Sequence, residues 1–189
     1  MIEQASELSL NALNPSFEVY QSDDFSNSAS SRHITSGASV FLYRALPNLS
    51  HRTPIGNLLP NGQRRYSKLP LDLHLLVTIW GNDPSTQNRL LCWVMRTLED
   101  YAMIPASVLN IGSETPAFED SESVELLLSE MTGEELLQLW EILGREIQYQ
   151  ITIPYLVRNV VLESRRVMPV GEPVQVRTAD VQRLAGVES

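Results

Sequence analysis

Residues 69–80, LPLDLHLLVTIW, alternate between apolar and other side chains more regularly than any other stretch of this chain. Every odd-numbered position from 69 to 79 is Leu, Val or Ile, and the even-numbered positions include Pro70, Asp72, His74, Thr78 and Trp80. A period of two residues is typical of a strand with one buried face. At about 3.3 Å per residue the strand would be roughly 40 Å long. The pattern predicts a long strand with an apolar and a polar face.

Asp72 and His74 share the polar face of this predicted strand and form the only arrangement that suggests catalysis. An acid–base or metal site would need a third group, such as a nucleophile or further His ligands. The chain has no GxSxG or HExxH motif and no second His close to His74. We therefore interpret the pair as part of a strand face that contacts solvent or a partner. A small hydrolase using both residues is the enzyme alternative.

Two helices are indicated by their start residues and apolar stripes. Asp83 as N-cap and Pro84 at the first position predict a helix to about Tyr101. Its expected buried stripe is Leu90, Leu91, Val94, Leu98 and Tyr101, and its lone Cys92 is expected to be a buried, inert thiol. Thr132 and Glu135 have capping-box spacing before a second helix, which Gly144 ends.

Further strands are predicted around these helices. Candidates are residues 17–21, 39–46, 124–131 and 147–164. Pro154 in the last of these predicts a strand that is bent or lies at a sheet edge, because proline cannot donate to a ladder. The expected fold class is α+β, a mainly antiparallel sheet with helices packed against it. We expect one domain over residues 1–189, with long loops at 22–39 and 47–67 and an extended tail at 165–189.

Charge is distributed unevenly along the chain, whose formal net charge is −9. Residues 111–146 carry ten acids and one base, whereas residues 32–68 carry six bases and no acid. These segments could be solvated loops, or one copy's basic segment could face the next copy's acidic one in a head-to-tail ring. The second hypothesis gives the predicted interface residues Arg44, Arg52, Arg64, Arg65, Lys68, Glu119, Asp120 and Glu122.

Several classes of protein are disfavoured by composition. The negative charge disfavours nucleic-acid binding, and no apolar run approaches the ~20 residues of a membrane span. The N-terminus lacks the positive and apolar regions of a secretory signal, which predicts a protein made in the cytoplasm. The single cysteine excludes an internal disulfide, and no glycine-rich loop suggests a phosphate site. We expect no metal, cofactor, catalytic site or small-molecule substrate.

Six short motifs, in order, resemble the cap or tail-terminator family of phage-tail-like contractile injection systems. They are VFLYRALPNLSHR (40–52), LPLDLHLLVTIW (69–80), RLLCWVMRTLEDYAMIP (89–105), GEELLQLWEIL (133–143), PYLVRNVVLES (154–164) and GEPVQVR (171–177). The resemblance spans roughly residues 38–178. Each motif alone is weakly specific, and their order carries the assignment.

The resemblance implies a structural protein and no enzyme. Its expected fold is that of phage tail terminators, and its expected assembly is a homo-hexameric ring bound to the inner tube protein and the contractile sheath protein. Such a ring closes the end distal to the baseplate and fixes particle length, within a particle that is either released or anchored in the producing cell. The alternative is another ring or adaptor, tube-initiating or at the baseplate.

Overall fold

The computed structural model describes residues 14–26, 34–51, 56, 58–143, 148–164 and 166–169. Six strands form one sheet in the order β1-β2-β3-β6-β5-β4: β1 Ser16–Tyr20, β2 Gly37–Pro47, β3 Leu69–Trp80, β4 Met103–Pro105, β5 Ser123–Leu128 and β6 Ile151–Leu162. The helices are α1 Pro84–Asp100, α2 Ala106–Leu109 and α3 Gly133–Leu143, with 3-10 turns at Ser22–Phe25 and Leu49–His51. Only the β1–β2 pair is parallel among these strands, which confirms the predicted α+β class.

The apolar face of β3 forms the main core with α1. Val77 and Ile79 pack against Leu90 and Val94 of the helix. The helix starts as predicted, because the Asp83 carboxylate accepts a 3.0 Å hydrogen bond from the Thr86 amide. β3 is central, pairing with β2 on one side and β6 on the other.

The opposite face of β3 is less polar than its sequence suggests. Thr78 and Trp80 are buried, beneath the 3-10 turn that carries Phe25 and the α3 residue Trp140. The hydroxyls of Thr78 and Thr152 lie 3.1 Å apart, and Trp80 Nε1 donates to Ser39 Oγ at 2.8 Å. The expectation of a face open to solvent or a partner is therefore wrong for this half of the strand, because segments distant in sequence cover it.

Pro154 does not mark a sheet edge, because β6 lies between β3 and β5. The β5 ladder reaches Tyr155, which is opposite Leu128, and ends there. Beyond it the Pro154 carbonyl accepts from the Ser129 amide at 3.0 Å. Ser129 is opposite Pro154, whose nitrogen cannot donate back to it, so the proline lies where the β5–β6 ladder ends and removes only the last reciprocal bond.

Two expectations for α1 are wrong. Cys92 is exposed, because it lies two positions from the buried Leu90 and so about 200° around the helix. Tyr101 is exposed too, because the helix ends at Asp100 and Tyr101 leaves the helical path as its C-cap.

The cap of α3 is as predicted: the Thr132 amide donates to Glu135 Oε2 at 2.9 Å, and the Glu135 amide donates to Thr132 Oγ1 at 3.2 Å.

The predicted loops contain more pairing than their composition suggests. Within 47–67, Leu58 and Arg64 form an antiparallel bridge closed by the Asn61-Gly62 turn. Arg65 bridges to Val167 in the C-terminal segment. In the loop at 22–39 residues 27–33 lie outside the described part. Residue 165 and residues 170–189 lie outside it as well, so the domain boundaries and the extended tail remain predictions.

Candidate interaction surfaces

Asp72 and His74 lie half-buried on β3 with neighbours that do not suggest chemistry. Asn48 Nδ2 donates to both Asp72 carboxylate oxygens at 3.1 Å. The His74 ring packs edge-on against Tyr43, with centroids 5.9 Å apart. No three His, Cys, Asp or Glu side chains in the described ranges are arranged to hold a metal. The described contacts of the pair are structural.

A charged cluster joins the loop before β3 to the segment after β6. Glu163 binds Lys68 through Oε1 and Arg65 Nη1 through Oε2, the second contact at 3.1 Å. The hydrogen bond to Lys68 holds the pKa of the Glu163 carboxyl below its ordinary value, and the reciprocal bond raises the pKa of Lys68. Between a quarter and two-fifths of each of these side chains is exposed to solvent. The cluster therefore joins the two segments at the surface.

The same segments pair through their backbones. The Tyr66 amide donates to the Arg166 carbonyl at 3.2 Å, and the Met168 amide donates to the Arg64 carbonyl at 2.7 Å. The Arg166 guanidinium lies 5.4 Å from the centre of the Tyr66 ring. We call the strand-like arrangement of residues 58–68 and 166–168 the loop–tail platform. Gly56 is required beneath it, because a Cβ there would lie 1.6 Å from the Arg65 carbonyl oxygen.

The platform borders a polar cavity of about 280 Å³ that brings predicted bases and acids together within one chain. Its lining includes Arg65, Lys68, Glu119 and Glu163. Glu122 and Glu119 also contribute, after Glu163, to the raised pKa of Lys68. The acidic loop is held in place by its own contacts, since the Glu119 amide donates to Glu122 Oε2 at 2.8 Å.

The other predicted interface residues lie apart from this cavity's lining. Arg44 is exposed on β2 opposite His74, and Arg64 is exposed at the edge of the platform. Asp120 is exposed in the acidic loop, and Arg52 lies outside the described residues. Sequence reasoning missed Glu163 and Arg166. The only signal in the sequence that could have indicated these two residues is the charged run that follows β6, and that run does not show which residues they contact.

A second candidate surface is an apolar groove of about 220 Å³ beside the edge strand β1. It is lined by Phe17, Val40, Val77, Trp93, Thr97 and Leu98, among others. The Phe17 and Trp93 rings lie 5.6 Å apart across it. Since Phe17 is half-exposed, the groove opens at the sheet edge. None of the described helices is long and apolar enough to cross a membrane.

Comparison with known proteins identifies relatives of this arrangement. One solved structure similar to the chain is the PVC sheath/tube terminator of an extracellular contractile injection system in its extended state, with TM-score 0.57 and 14% identity over 99% of this chain and 64% of that one. Another is the tube-terminating cap of the anti-feeding prophage, with TM-score 0.51 and 17% identity over 84% of this chain and 57% of that one. The chain thus spans less than two thirds of either terminator. No curated protein matches.

These similarities show the fold of tail terminators, as the motif order predicts. The family model described as the Pvc16 N-terminal domain matches residues 7–176, which is most of the sequence. The chain belongs to the Pvc16 N-terminal domain family.

Proposed function

We propose that this protein is the cap of a contractile injection system, a ring that closes the tube and sheath at the end distal to the baseplate. The observation that carries the proposal is the six-stranded sheet with helices on both faces, which is similar to a sheath/tube terminator and to a tube-terminating cap. Family membership over residues 7–176 supports it from the sequence, independently of the fold.

The proposed assembly is a homo-hexamer that contacts the inner tube protein and the contractile sheath protein. A terminator must bind the last ring of tube and sheath subunits while offering no site for another ring, and so it limits particle length. The loops at 22–39 and 47–67 are our candidates for the tube and sheath contacts. In this proposal the chain is made in the cytoplasm and has no catalytic role, because Asp72 is bonded to Asn48 and His74 packs on the Tyr43 ring, which are structural contacts.

Head-to-tail contact between copies is the proposed basis of the ring. The predicted set of Arg44, Arg52, Arg64, Arg65, Lys68, Glu119, Asp120 and Glu122 remains a proposal for that interface. A heterologous interface of this kind joins two different patches of the same chain, and it closes into a ring when the rotation permits.

Electron microscopy of particles from cells lacking the gene tests the function. We expect tubes and sheaths of uncontrolled length, or none stable enough to recover, and restoration by the wild-type gene. Complementation with Asp72→Asn should restore particles as well, since the proposal gives this carboxylate no chemistry. Particles of normal length and number without the gene would contradict the cap. Labelled chain at the baseplate end would favour an adaptor instead.

A further inference from the structure

We propose that neighbouring copies join by seating the outer face of α3 on the loop–tail platform of the next copy. This inference rests on the proposed ring and names the surfaces that form it. Both surfaces combine exposed apolar side chains with charges of one sign, and the two signs are opposite. The occupant of each surface is therefore a second copy of this chain.

The platform side is basic and apolar. Arg64 and Arg166 are exposed, and neither forms an ion pair with a carboxylate of the described residues. Leu58 is 64% exposed, and Val167 is 39% exposed. Leu69 and Leu162, which are opposite each other in the β3–β6 ladder, are also exposed nearby. Such a surface offers a partner both apolar contact and two cations that have no carboxylate partner among the described residues.

The α3 side is acidic and apolar. Glu134, Leu137 and Glu141 follow one another at spacings of three and four residues, so they share one stripe of the helix. All three are exposed, and Leu137 is 56% exposed. Glu134 accepts a long hydrogen bond from Gln138, at 3.3 Å, and neither acid forms an ion pair with a base in the described part of the chain.

The two surfaces lie apart along β3, so one chain cannot join them to each other. Trp140 of α3 packs with Trp80 at the C-terminal end of the strand, whereas the platform adjoins its first residue, Leu69. Twelve residues at about 3.3 Å per residue separate these ends by roughly 35 Å. After burial, the Glu135 carboxylate helps to raise the pKa of Tyr43, which places the start of α3 near the middle of β3, where Tyr43 packs on His74. At about 3.3 Å per residue, roughly 15 Å of strand separates His74 from Leu69 and the platform. Complementary patches so placed produce a heterologous, head-to-tail contact.

The remaining predicted residues are less suited to this contact. Arg65 and Lys68 are already paired with Glu163 of their own chain. Glu119 and Glu122 lie near Lys68 of the same chain, as the raised pKa of that lysine shows. Using them between copies would require breaking or sharing ion pairs. Arg64, Arg166, Glu134 and Glu141 have no ion pair to break among the described residues; the Arg166 guanidinium contacts only the Tyr66 ring, and the Glu134 carboxylate accepts only the long bond from Gln138.

Disulfide trapping tests the contact in assembled particles. In a Cys92→Ser background, Leu137→Cys and Val167→Cys are combined in one chain, and particles are run on a non-reducing gel. A disulfide needs Cα atoms within about 7 Å, so a separation of roughly 15 Å prevents the bond from forming within one chain. We expect a ladder of cross-linked copies. The matched control pairs Leu137→Cys with Val19→Cys, at an exposed position on β1, and should stay monomeric.

Charge reversal separates this contact from chance cross-linking. Arg64→Glu with Arg166→Glu should lower the cross-linked yield about tenfold or more, because like charges would then face each other. Adding Glu134→Arg and Glu141→Arg should restore the yield. Arg89→Glu, at an exposed position on α1 outside both surfaces, should leave it unchanged. Capped particles that give no ladder, or a ladder indifferent to reversal, would overturn the interface and leave the cap. If the chain caps no particle, the purified protein is tested alone: a ladder upholds the interface, and monomers refute it.

Discussion

At its Trp80 end β3 is buried on both faces, whereas towards its Leu69 end most of the strand is half-buried, Leu69 itself is exposed, and ion pairs join the segments beside it. Trp80 is 8% exposed and belongs to an aromatic cluster with Tyr20, Phe25 and Trp140. Leu69 is 36% exposed, and the neighbouring contacts are the ion pairs of Glu163. One end of the strand thus belongs to a core that stabilises the fold, and the other end remains available for binding.

Because the two ends differ in burial, stability and assembly can be altered independently. Apolar burial is worth about 25 cal/mol per Å², whereas a half-exposed ion pair contributes about 0–1 kcal/mol. Changes at the buried end should therefore unfold the chain, and changes at the open end should alter contacts while leaving it folded. Three measurements test this contrast.

The largest expected effect is at Phe25, which is fully buried and lies edge-on to Tyr20, Phe41 and Trp140. Phe25→Ala should lower the free energy of unfolding by about 3–5 kcal/mol, because it leaves a cavity that the cluster cannot fill. Leu69→Ala at the open end is the matched control and should cost less than about 1.5 kcal/mol. Urea unfolding at neutral pH measures both, and equal losses would abolish the contrast.

A smaller, asymmetric effect is expected at the paired threonines. Thr152 Oγ1 donates to the Gln150 carbonyl at 3.1 Å, so the Thr78 hydroxyl is the donor between the two side chains. Thr152→Val removes that acceptor and leaves a buried donor unpaired, which should cost about 1–3 kcal/mol. Thr78→Val leaves Thr152 still bonded to Gln150 and should cost under about 1 kcal/mol. The reverse order in urea unfolding would mean that the donor is assigned wrongly.

Local signals predicted the parts of the fold that local interactions determine. The Asp83 cap, the Thr132–Glu135 box and the apolar face of β3 each depend on residues a few positions apart, and the structure has all three. The order of six motifs led to the family, which the match over residues 7–176 confirms. None of these inferences required knowledge of distant contacts.

Long-range contacts explain what sequence reasoning missed. The second face of β3 is covered by Phe25 and Trp140, far from it in the chain, so Thr78 and Trp80 looked like a polar face. Glu163 binds Lys68 from 95 positions away, and no pattern joins the two. The expectation that Cys92 is buried is wrong because the apolar residues next to it in the sequence lie on other sides of the helix. The interface residues stay a prediction, because a single chain shows only where each charge lies.

The smallest expected effect on the free energy of unfolding is at the Leu69 end of β3. There Glu163→Gln removes one charge from the cluster with Lys68 and Arg65. Because folding lowers the pKa of Glu163, its contribution is present above the ordinary pKa of a glutamate and is lost as pH falls through the lowered value. Because folding raises the pKa of Lys68, its contribution is present below the ordinary lysine value and is lost only as pH rises through the raised one.

The free energy of unfolding of the wild type should therefore exceed that of Glu163→Gln by less than about 1 kcal/mol between roughly pH 5 and pH 10. The difference should vanish in stronger acid. Urea unfolding at several pH values and at low and high salt measures it, and salt should shrink it because the pair is partly exposed. Glu114→Gln, at an exposed acid outside the cluster, is the control. A loss comparable to that of Phe25→Ala would mean that the open end contributes to the core, and the platform could then not serve as an independent docking surface.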